Sequence, residues 1–138
     1  MTDSDLVAQK LAEVETYLHE LRTLARLDRL LTDLKEQRFV CHTLQLAVQA
    51  VLDVASHIVS DERLGEPANL RELFVLLARG GWIEREQVPS LQKMAGFRNL
   101  LVHEYGRIDL GIVRDVVENR LEDLEAFVAA VRPRAGQG

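Results

Sequence analysis

Apolar residues recur along this chain at three- and four-residue intervals, which is the period of an α-helix with one buried face. Leu11, Val14, Leu18, Leu21 and Ala25 form a first stripe, and Asp3 and Ser4 are residues that cap a helix start. The pattern loosens at Leu27-Asp28, and Asp28 is expected to cap a second helix. That helix is long: Leu31, Leu34, Val40, Leu44, Val48, Val51, Ala55, Ile58 and Val59 keep the period. Ala47, Leu52 and Val54 widen its apolar stripe past half the circumference, which marks a central helix. Gly65-Glu66-Pro67 closes the segment, because proline disfavours helix in the residue before it.

Asn69 is placed to cap a short third helix, Leu70 to Arg79, and Gly80-Gly81 to stop it. Trp82 and Ile83 then tuck the connection onto the core. A fourth helix starts near Pro89-Ser90, carries Leu91, Met94, Ala95, Arg98, Leu101 and Val102, and ends at Gly106. Asp109 caps a fifth, with Ile112, Val113, Val116, Val117, Leu121, Leu124, Phe127 and Val131 on its apolar side. No strand alternation, internal repeat or low-complexity block interrupts this series. The expectation is an all-α, up-and-down bundle of four to five helices, one domain over residues 1–132, with a flexible tail over 133–138.

Composition narrows the picture. A chain of 138 residues buries a little under ~70% of its extended surface, enough for one core. No run of ~18 or more uninterrupted apolar residues suggests a membrane span, and the acidic, polar MTDSDLVAQK start is not a signal peptide. The single cysteine, Cys41, excludes an internal disulfide and fits a reducing, cytoplasmic setting. A net charge of −5 argues against a broad electrostatic nucleic-acid binder, yet leaves room for a few arginines gathered in one cleft. Arginine outnumbers lysine, 14 to 3, which fits phosphate recognition and a genome bias equally well.

The candidate chemistry lies in Met94 to Tyr105, MAGFRNLLVHEY. Arg98 suits a phosphate through bidentate hydrogen bonds. His103 suits proton transfer near neutral pH. On a straight helix the two point roughly 140° apart, so a single chain does not aim both at one atom. Either the helix unwinds near His103, helped by Gly106, or two copies face each other and share a cleft. Gly96, costly by ~1 kcal/mol in mid-helix, fits a close approach of a second copy or a tight crossing within one chain. No metal-ligand spacing, P-loop, dinucleotide fingerprint or Ser-His-Asp order is found. His42 and His57 read as core-edge or surface residues, with a place lining the cleft the alternative for His42; His19 reads as solvated.

The segment resembles the R-x-x-x-x-H-x-Y signature of the HepT-like ribonuclease toxins, a branch of the HEPN superfamily. Arg38 to Gln45, Ala50 to Ile58 and Phe74 to Ile83 resemble further family segments, so the likeness runs from about Leu6 to Val131. The resemblance implies a homodimer joined through the motif-bearing fourth helix. It implies metal-independent RNA cleavage with no cofactor, in which Arg98 holds the phosphate, His103 moves the proton and Asn99 orients His103 or the phosphate. It also implies a MntA-like nucleotidyltransferase antitoxin as partner, which silences the toxin by adding AMP to Tyr105. Two other readings use the same scaffold: a non-catalytic helical module that partners a nucleotidyltransferase or binds nucleotide, and a purely structural dimeric bundle.

Overall fold

The computed structural model describes residues 3–103 and 107–136, the side chain of His103 excepted. Six α-helices follow one another, and no strand occurs among the described residues: α1 Ser4–Thr23, α2 Leu34–Asp61, α3 Leu70–Arg79, α4 Val88–His103, α5 Leu110–Asn119 and α6 Leu121–Ala135. Short 3₁₀ turns at Leu27–Arg29 and Arg85–Gln87 precede α2 and α4.

Side-chain caps set most of the starts. Asp3 accepts from the backbone N–H of Asp5 and Leu6, Asn69 from Glu72 at 3.0 Å, and Asp109 from Gly111 at 2.8 Å. Each satisfies a backbone donor that the helix itself leaves open. The second helix begins later than its apolar pattern suggests. Asp33, not Asp28, is the cap, accepting from Lys35 N–H at 2.9 Å and Glu36 N–H at 3.4 Å. Asp28 instead falls within the 3₁₀ turn. Leu31 and Leu34 therefore miss the core, at 61% and 56% exposure, and Leu30 is fully buried in their place.

α2 is the centre of the bundle, packing against α1, α3, α4 and α6. By length and composition alone it would cross a membrane, yet 61% of its most apolar window is buried inside the protein. That burial identifies it as a core helix. Phe74 of α3 meets Phe127 of α6 edge to face, with ring centroids 6.3 Å apart.

The expected single fifth helix is two. The chain bends at Arg120, whose backbone (φ −122°, ψ −4°) caps α5 and opens α6. No glycine or proline marks the bend. What separates the halves is packing: α5 contacts α6 and flanks a cleft shared with α4, whereas α6 turns to run antiparallel along α1. Two arginine–carboxylate forks record that direction. Arg22 donates to both oxygens of Glu125, at 2.6 and 2.7 Å. Arg132 does the same to Glu15. α6 continues through Pro133 to Ala135, which is buried, while Arg134 lies over the Trp82 ring at 4.9 Å.

Candidate active site

The α4 segment that carries the motif opens with Glu84 N–H donating to Gln87 Oε1 at 2.8 Å, and Pro89 occupies its first turn, where a missing N–H costs nothing. Leu91, Met94, Ala95, Phe97 and Leu101 are buried and fix the helix rotation. Arg98 is thereby turned toward α2 and Asn99 toward solvent.

Arg98 is held by amides. Its Nε donates to Gln49 Oε1 of α2 at 2.9 Å, and its Nη1 donates to Asn99 Oδ1 at 3.1 Å. Gln49 in turn donates through Nε2 to Asp53 Oδ1 at 2.9 Å, and the other Asp53 oxygen lies 3.7 Å from Lys10 Nζ of α1. A relay of polar groups thus ties three helices to one guanidinium. Among the described residues Arg98 bonds no carboxylate, so these contacts orient its charge without neutralising it, and none of them uses Nη2.

α4 is helical through residue 103, so unwinding does not begin before His103. Gly106 and Tyr105 lie outside the described residues, as does the His103 side chain. With the helix regular this far, positions 98 and 103 stay about 140° apart by register. The chain is next described at Arg107, which is exposed, and Asp109 then caps α5.

The other histidines are placed by simple contacts. His42 is exposed on α2. His57 lies 3.1 Å from Asp61 and its Nε2 accepts from Asp3 N–H at 3.4 Å. His19 is exposed, and its carbonyl accepts from Thr23 Oγ1. Cys41 is buried, and burial pushes its thiol up from the ordinary value, which keeps it unreactive. At Gly96 the space a side chain would take is filled by the Arg71 side chain of α3. Gln49 and Asp53 escaped the sequence reading. Their one signal is a pair of polar residues four apart, facing the same way, inside the otherwise apolar α2 run.

Known proteins resemble this chain in architecture and in sequence. The chain is 32% identical over 130 residues to the mRNA nuclease HepT of Shewanella oneidensis, covering 94% of this chain and 98% of that one. It is 27% identical over 128 residues to the tRNA nuclease HepT of Aphanizomenon flos-aquae, covering 91% and 87%. Its fold is similar to that of the tri-AMPylated Shewanella oneidensis HEPN toxin solved in complex with MNT antitoxin. The TM-score there is 0.86 at 31% identity, over 96% of this chain and 99% of that one. The ribonuclease HepT-like family model matches residues 9–131, nearly the whole helical bundle and all of the Arg98 to His103 segment, and the chain belongs to that family.

Proposed function

We propose that this protein is a metal-independent endoribonuclease toxin of a toxin–antitoxin pair, acting in the cytoplasm as a homodimer. The observation that carries the reading is Arg98, five residues before His103 and fixed by neutral amide acceptors, with Nη2 unbonded among the described residues. Membership of the HepT-like ribonucleases supports it, as do the nuclease relatives.

In this reading two α4 helices face each other, so that Arg98 and His103 converge on one scissile phosphate. His103 takes the proton from the ribose 2′-hydroxyl as that oxygen attacks phosphorus, or protonates the departing 5′-oxygen. Arg98 holds the non-bridging oxygens, where charge builds up in the transition state. Asn99, already bonded to Arg98, keeps the guanidinium plane facing the phosphate. A positioned acid–base group contributes ~10²–10⁴ in rate.

Tyr105 is the off-switch. The likeness to a tri-AMPylated toxin bound to its antitoxin supports a MntA-like nucleotidyltransferase as the partner that adds AMP there. The added phosphates occupy the Arg98 site and exclude RNA. Mass spectrometry after co-expression with such an enzyme is expected to find adenylate on Tyr105; adenylate confined to other residues contradicts the assignment. The activity is tested by incubating purified protein with RNA in the presence of a chelator. Wild type is expected to cleave and folded His103→Ala to be inert and non-toxic. Undiminished cleavage by His103→Ala overturns the reading.

A further inference from the structure

A second arginine, which the motif does not include, lies against α4. Arg71, in the first turn of α3, lies across the backbone at Gly96. A Cβ at Gly96 would sit 2.6 Å from Arg71 Nη2, 3.5 Å from Cζ and 3.7 Å from Nε, so the guanidinium occupies the space a side chain would take. The start of α3 is held on α4 by Gln92, whose Nε2 donates to the Arg71 carbonyl at 3.2 Å. Arg71 is exposed, and its guanidinium makes no hydrogen bond or ion pair among the described residues. It differs in this from Arg22, Arg114 and Arg132, which all bond carboxylates.

Register links this cation to the motif. Positions 96, 99 and 103 follow one another at three and four residues, along one line of α4. Position 103 is about 10 Å along the axis from position 96, at 1.5 Å per residue. Leu100 flanks that line and is 41% exposed. A strand bound at His103 therefore passes Arg71 within a few nucleotides.

We propose that Arg71, cradled on Gly96, is a second phosphate contact that holds the RNA strand beside the cleavage site. The proposal rests on the reading of Arg98 and His103 as an RNA-cleaving pair. Glycine at position 96 then has a specific purpose: it lets the guanidinium lie low against the helix, level with a passing backbone, instead of projecting past it.

The test measures binding of a single-stranded RNA oligonucleotide against salt concentration, in the uncut His103→Ala background. Arg71→Gln is expected to reduce the slope of log affinity on log salt by about 0.7–1 for each chain that contacts the strand. Gly96→Ala is expected to displace the guanidinium and reduce the slope likewise, while raising Tm by a few degrees because alanine is the better helix former. A packing role for Arg71 would not yield a protein that is more heat-stable yet binds RNA less well. Arg98→Ala in the same background separates the two ideas. If Arg98→Ala lowers the slope and Arg71→Gln leaves it unchanged, the second contact is overturned and the cleavage site stands. If neither changes it, both are overturned.

Discussion

The guanidinium of Arg98 donates to Gln49 Oε1 and Asn99 Oδ1, two neutral oxygens, which hold it in place without cancelling its charge. Gln49 is itself fixed by Asp53, so the arginine's orientation depends on a second layer of polar contacts within α2. Gln49→Leu is expected to lower kcat by up to about 100-fold, the scale set by a misplacement near 1 Å, with KM little changed. Steady-state kinetics on a short RNA check this; an unchanged kcat would show that Arg98 orients itself. Arg98 and Asn99 were legible as neighbours in the sequence. Gln49 was not, because its partner lies 49 positions away and the pairing exists only once α2 and α4 have packed. A polar residue inside an apolar helix signals that something is bonded there, not what.

The helices show where local signals suffice. Asn69 and Asp109 cap as their sequence positions suggest, since a cap depends only on the next three residues. Asp28 and Asp33 have equal capping chemistry, and tertiary packing chose between them. Fully burying Leu30 sets the chain's path before α2, which moves the start to Asp33 and leaves Asp28 in the turn. Asp33→Ala is expected to cost about 1 kcal/mol. Asp28→Ala should stay within about 0.5 kcal/mol of wild type, the range of an ordinary surface change. Urea denaturation of the two variants distinguishes them, and equal losses would contradict the assignment. The bend at Arg120 had no breaker residue to announce it, and only the need for α6 to lie along α1 explains it.

For the molecule as a whole, α6 is fastened to α1 by Arg22–Glu125 and Arg132–Glu15. The hydrogen bond from Arg132 holds the Glu15 carboxyl below its ordinary value near 4.5, and Arg22 does the same for Glu125. A carboxyl lowered by folding stabilises the native state above its unfolded value, and that stability is lost as pH falls through the folded value. Both pairs are about half exposed, so each is worth at most about 1 kcal/mol. Thermal melts are expected to fall more steeply below pH 4.5 in wild type than in a Glu15→Gln/Glu125→Gln variant; parallel curves would show that the pairs contribute nothing. The core is less forgiving. Phe127→Ala, which removes a fully buried ring, should cost about 3–5 kcal/mol.

The pairing of two molecules is the claim on which the chemistry depends, and a mixing experiment addresses it directly. Arg98→Ala and His103→Ala chains, each inactive alone, are co-expressed and the mixed dimer is isolated and assayed on RNA with a chelator present. If one site takes Arg98 from one chain and His103 from the other, a mixed dimer carries one doubly damaged site and one intact site. About half of wild-type activity per dimer is then expected. Mixed dimers as inert as their parents would show that the two residues do not meet across the interface.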